Sequence, residues 1–133
     1  MNVSSRRFAN AIVLRVEGRL DQDTCGAFTA DLMKSVDAAA AEGGAVVLDL
    51  SGLEYISSAG LRCFMLASRQ AKSQHAKIAV AALQPMVAEI FQISHFNLVF
   101  QVFPTVREAL AALSGAAAAA FGAVIDRAVI DKG

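Results

Sequence analysis

Ser57 and Ser58 stand side by side in the stretch Tyr55-Ile56-Ser57-Ser58-Ala59-Gly60-Leu61-Arg62, between an apolar run and a helical pattern. Hydroxyls at such a place have three uses. They cap the helix, because its first four N–H groups lack internal partners and serine is a preferred cap. They attack a substrate, if a base stands beside them. Or they accept a phosphate, which a helix N-terminus welcomes through its free N–H groups and its macrodipole. A phosphate on Ser58 adds about −1.5 to −2 charges at pH 7. The fold tolerates that charge, whereas a partner laying apolar or acidic surface over the same spot does not. Such a site switches binding without unfolding the chain.

Catalysis finds less support. No G-x-S-x-G elbow surrounds Ser58, and a triad would need His75 or His95 together with an acid. His75 lies in the polar helix-end stretch Lys72–Lys77, and His95 in the turn-like Ile93–Asn97, so both read as solvated side chains. Neither has ligand-spaced companions for a metal. Gly43-Gly44 lacks the lysine and the strand–loop–helix order of a phosphate loop, so no cofactor is expected. Cys63 falls on or beside the apolar face of its helix and Cys25 near a helix start; both read as structural. Two cysteines, far apart in the chain and without a CxxC, fit a reduced, cytoplasmic setting.

The elements that hold these residues can be read from composition and period. The 133 residues suit one compact domain. They are 56% hydrophobic and 18% charged, with alanine runs at 38–41 and 116–120 supplying much of the excess. Polar residues interrupt every window before the ~18 apolar residues of a spanning helix. Ser4, Ser5, Arg6, Arg7 and Asn10 occupy the place of a signal-peptide core. Twelve Lys and Arg balance twelve Asp and Glu, which argues against a nucleic-acid binder and leaves a protein partner open.

Val3–Arg7 and Ile12–Glu17 read as a hairpin turning at Ala9-Asn10, the second strand ending at Gly18. Arg19–Thr24 reads as a polar loop. Phe28, Leu32, Val36 and Ala39 then form a helical stripe that ends at Gly43-Gly44. Ala45–Leu48, apolar on both faces, reads as a buried central strand closed by Asp49–Gly52. A second helix is expected over 58–76, with Leu61, Phe64, Met65 and Ser68 inside and Arg62, Arg69 and Ser73 outside. Lys77–Ala81 is the next strand. Pro85 opens a third helix carrying Met86, Val87, Ile90 and Phe91. A short strand over 98–102 follows. Thr105-Val106-Arg107-Glu108 is a capping-box pattern opening a fourth helix. The order ββαβαβαβα predicts an α/β fold: a mixed, mostly parallel sheet of about five strands with about four helices. Residues 115–133 read as an added Ala-rich helix, with Phe121, Val124, Ile125, Ala128 and Val129 on its apolar face. That helix packs on its own domain or serves as a homodimer or partner contact.

Three blocks, taken in order, resemble a STAS domain of the bacterial anti-sigma-factor antagonists. They are Gly18-Arg19-Leu20-Asp21 with Thr24, the run Leu48–Leu61, and Pro85–Phe96 followed by Phe103–Leu110. The resemblance covers roughly residues 10–114, so 1–114 is expected to be the STAS domain and 115–133 a helical extension. It implies that Ser58 falls on the family's phosphoacceptor serine, with Gly60 and Leu61 on the residues that follow it. Ser57 stands where the family usually has Asp, and Ala59 where it has Ser or Thr, so Ser57 is a second acceptor candidate. Asp21 falls on the aspartate of the neighbouring loop.

The resemblance further implies a non-catalytic binding module. Its partner is an anti-sigma factor with a serine-kinase fold; phosphorylation breaks the complex, and a phosphatase restores it. The expected contact surface is Arg19, Asp21, Asp23, Tyr55, Ser57, Ser58, Ala59, Gly60 and, on the second helix, Arg62 and Leu66. Related uses of the fold, as a signalling scaffold or a lipid-transport-complex subunit without a phospho-switch, remain alternatives. A serine-dependent enzyme is a third.

Overall fold

The computed structural model describes the backbone of residues 1–132 and the side-chain surroundings of residues 1–124. Five strands run β1 Asn2–Phe8, β2 Ala11–Leu20, β3 Ala45–Ile56, β4 Lys77–Ala81 and β5 Gln101–Phe103. Five helices lie between and after them: α1 Cys25–Ala41, α2 Ser58–Ser73, α3 Pro85–Ile93, α4 Val106–Leu113 and α5 Gly115–Lys132. The sheet order is β1-β2-β3-β4-β5. The β1–β2 hairpin is antiparallel, and the other pairings are parallel. This is the expected mixed sheet with its hairpin at one edge.

Alternation along the strands sorts the core into two layers. Ile12, Leu14, Val16, Val46, Leu48 and Val80 face α1, α2 and α3. Ala11, Val13, Ala45, Val47, Ala79 and Ala81 face α4 and the start of α5. The small residues on the second face let α4 settle close to the sheet through Ala109, Leu110 and Leu113. Phe64 on α2 is the centre of the larger layer. Its ring meets Phe28, Phe91 and Phe100 at 5.4, 5.9 and 6.0 Å, the first two edge-on and the third likewise steeply inclined. Such aromatic pairs contribute beyond their buried area.

Several expectations are corrected. β2 continues through Arg19 and Leu20, and β3 continues through Asp49–Gly52 to Ile56. The register shifts between Arg15 and Glu17 and again between Gly18 and Arg19, β3 carrying the extra residue each time. Each bulge resets the alternation, so the buried residues Leu50, Leu53 and Ile56 recur at threes and hide the strand from a period-two reading. Gly18, at φ +104°, supplies backbone that a side chain rarely adopts.

Helix α2 stops at Ser73, short of Ala76. The Ala76 N–H returns to Ala71 O at 2.8 Å and the His75 N–H to Lys72 O, with His75 left-handed at φ 59°, a helix-ending turn. Its buried face runs through Gly60, Cys63, Phe64, Ala67 and Ala71; Leu61, Met65 and Ser68 lie at its margin. On α3, Val87 and Phe91 are buried and Met86 is exposed. The expected strand over 98–102 is instead a 3-10 turn, Phe96–Leu98, then β5. Phe96 and Phe100 turn inward against Phe91, which throws Leu98 outward at 80% exposure. In α5, Ala117 is buried and Phe121 meets Phe8 edge-on at 5.2 Å. The side chains of Ile125, Ala128 and Val129 lie outside the described residues.

Because Phe64 joins three elements at once, Phe64→Ala is expected to cost about 3–5 kcal/mol. Urea unfolding of the variant beside the parent measures this, and a cost under about 1 kcal/mol would contradict the packing described.

Candidate functional site

The site lies at the carboxyl ends of β2 and β3, where α1 and α2 begin. The ladder pairs Arg19 with Tyr55 and Leu20 with Ile56. Paired residues project to the same side, and the Arg19 guanidinium lies 4.4 Å from the centre of the Tyr55 ring, a cation–π contact. The Ser57 N–H donates to Leu20 O at 2.9 Å. That bond ties the turn before α2 to the end of β2.

The two serines divide the roles offered to them. Ser57 is the N-cap: its extended backbone turns the side chain back, and its Oγ accepts from the Gly60 N–H at 3.2 Å. Ser58 occupies the first helical position and is exposed. Among the described residues its hydroxyl has no hydrogen-bond partner. It therefore stands free at the positive end of a 16-residue helix.

Gly60 is buried and does not share the exposed surface expected of it. A Cβ there would come within 2.8 Å of Leu20 Cγ and 2.9 Å of Ile56 Cγ1. Glycine lets the first turn of α2 sit directly on the ends of β2 and β3. Ala59 and Ser57 are half-buried beside it, as is Tyr55.

The loop between β2 and α1 satisfies itself. Asp21 Oδ1 accepts from the N–H groups of Asp23 at 3.0 Å and Thr24 at 3.2 Å. Thr24 Oγ1 accepts from the Asp21 N–H at 3.0 Å and lies 3.0 Å from Arg19 O, to which it can donate. Asp21 thus shapes the loop with its carboxylate, while Asp23 is exposed.

Along α2, Ser58, Arg62, Leu66, Arg69 and Ser73 recur at spacings of four, four, three and four. They form one outward face. Leu66 shows 42% of its surface. The helix carries Arg62, Arg69 and Lys72 and no acid, and among the described residues neither arginine has an ion-pair partner. The expected contact residues other than Gly60 therefore share one end of the sheet and one outward helix face.

His75 stands seventeen residues after Ser58, about 25 Å away at 1.5 Å per residue. It cannot serve Ser58 as a base. Among the described residues no cluster of His, Cys, Asp and Glu could hold a metal, and no helix is long and apolar enough to cross a membrane. The sequence reading missed Leu20 as the residue on which α2 rests. It also missed that Cys25 and Cys63 are neighbours, since no period links positions so far apart in the chain.

The capping geometry separates adjacent serines in a stability measurement. Ser57→Ala is expected to cost about 1 kcal/mol, and Ser58→Ala to stay within about 0.5 kcal/mol. Gly60→Ala is expected to cost about 1–3 kcal/mol by overpacking. Equal losses at both serines in urea titrations would contradict the assignment of the cap.

Known proteins share this fold. A family model described as "Mlab, STAS domain" matches residues 3–101. BtrV of Bordetella bronchiseptica, named as an anti-sigma factor antagonist, is 33% identical over 112 residues, covering 84% of this chain and 93% of its own length. An anti-sigma factor antagonist from Mycobacterium paratuberculosis superposes with a TM-score of 0.71 at 23% identity, over 84% of this chain and 92% of that one. SpoIIAA of Bacillus in its phosphorylated form does so with a TM-score of 0.61 at 17% identity, over 82% and 96%. At these identities the two structures speak for the fold alone. The extent of the family match and the likeness to BtrV lead to one conclusion: the chain belongs to the STAS-domain family.

Proposed function

We propose that this protein is an anti-sigma-factor antagonist of the cytoplasm, a binding module without catalysis of its own, switched by phosphorylation of Ser58. The observation that carries this reading is the division between the serines. Ser57 spends its hydroxyl on the cap, and Ser58 keeps its hydroxyl exposed at the helix start. The likeness to BtrV, named as an antagonist of this kind, supports the role. SpoIIAA, which shares the fold, has a phosphorylated form.

The switch is electrostatic. The unmodified face of α2 is cationic, with Leu66 between Arg62 and Arg69. It suits an anti-sigma factor that presents acidic groups around an apolar contact. Arg62 lies one helical turn beyond Ser58, on the same face. A phosphate on Ser58 draws on Arg62 and on the free N–H groups of the first turn, and it repels an acidic partner. The partner is a kinase-fold anti-sigma factor that places the phosphate, and a phosphatase removes it. Residues 1–114 carry this role, with α5, Gly115–Lys132, an added helix.

Affinity capture from cell extract with the parent and with Ser58→Asp, followed by mass spectrometry, tests the reading. The expected result is a kinase-fold partner on the parent, at least ~10-fold depleted on the variant, a difference of about 1.4 kcal/mol. Phosphate is expected on Ser58. Stability is expected to hold or rise slightly, since an acid in the first turn suits the helix dipole. Unchanged capture of every partner would sink the switch and favour a scaffold or lipid-transport-complex subunit.

A further inference from the structure

Cys25 and Cys63 lie 38 residues apart in sequence and meet where α1 crosses the start of α2. Cys63 Sγ is 3.8 Å from Cys25 O. Thr29 Oγ1 bridges the same two residues, donating to Cys25 O at 2.7 Å and lying 2.9 Å from Cys63 Sγ. Cys25 is the first residue of α1 and half-buried, whereas Cys63 is buried at 6% exposure. Both are free thiols.

We propose that Cys25 and Cys63 form a redox-modifiable pair, which hydrogen peroxide converts to an intramolecular disulfide tying the start of α1 to the second turn of α2. The accessible Cys25 reacts first, and the buried Cys63 resolves it. Burial pushes the Cys63 thiol above its ordinary range, and the nearby Cys25 pushes it the same way, against a hydrogen bond from Thr29. Cys63 thus stays protonated while the more accessible sulfur meets the oxidant.

In the first step the Cys25 sulfur, as thiolate, attacks one peroxide oxygen. The O–O bond breaks, and the departing hydroxide takes up a proton as water. Cys25 becomes a sulfenic acid. In the second step the Cys63 sulfur gives up its proton and attacks the Cys25 sulfur. The S–O bond breaks, and the hydroxide leaves with that proton as water. Two thiols and one peroxide give one disulfide and two waters, the sulfurs losing the two electrons that reduce the peroxide.

The bond would anchor the residue next to Arg62 to the residue after Thr24, so the redox state is written into the scaffold under the outward face of α2. This inference stands apart from the role of Ser58, since the disulfide forms or fails to form whatever binds there.

The test treats the reduced full chain with hydrogen peroxide, alkylates the remaining thiols, and reads intact mass and non-reducing peptide maps. The expected result is joint loss of both thiols, loss of two hydrogens in mass, and a linked Cys25–Cys63 peptide within one chain. In Cys63→Ser, Cys25 is expected to stop at a sulfenic acid that dimedone traps. Alkylation of both cysteines after peroxide would overturn the proposal. So would linkage found only between chains, or over-oxidation of Cys25 in the parent without a cross-link.

Discussion

The site rests on one close contact, that of Gly60 with Leu20 and Ile56. Those two residues are paired at the ends of parallel strands β2 and β3, and a single added carbon at Gly60 would strike both. Glycine at this position therefore lets the first turn of α2 sit directly against both strand ends. From that seat the helix carries Phe64 into the aromatic cluster with Phe28, Phe91 and Phe100. It also leaves Ser58, Arg62 and Leu66 facing outward. Core and surface are two sides of one helix whose position is fixed at its first turn.

The two bulges in the β2–β3 pairing make that contact available. With them, the Ser57 N–H meets Leu20 O and Arg19 meets Tyr55. The polar loop beyond β2 is held by its own bonds among Asp21, Asp23 and Thr24. A platform at the ends of the strands, held by its own hydrogen bonds, thus supports an exposed hydroxyl.

Much of this was legible in the sequence. The stripe Phe28, Leu32, Val36 and Ala39 marked α1, the run Ala45–Leu48 marked the central strand, and Pro85 and Thr105 marked the starts of α3 and α4. The serine pair at a helix start marked the candidate site. Where the reading failed, it failed for local reasons. Bulges broke the alternation at Leu50, Leu53 and Ile56, so the second half of β3 looked like a turn. Phe96 and Phe100 obeyed the needs of the aromatic cluster instead of a strand period, which displaced β5 toward Phe103.

Sequence by itself determined the order of elements, the α/β class and the polar turn that offers hydroxyls to a helix N-terminus, because periods and caps are properties of neighbouring residues. It could not say which of the two adjacent serines would cap. Both have the right chemistry, and the choice depends on where the chain leaves β3. Only the tertiary structure decided that Ser57 turns inward and Ser58 stays free, that Gly60 is buried under the site, and that Cys25 and Cys63 meet. Each of these follows from the docking of α2 on the ends of β2 and β3, a contact between residues some forty positions apart whose geometry no local pattern encodes.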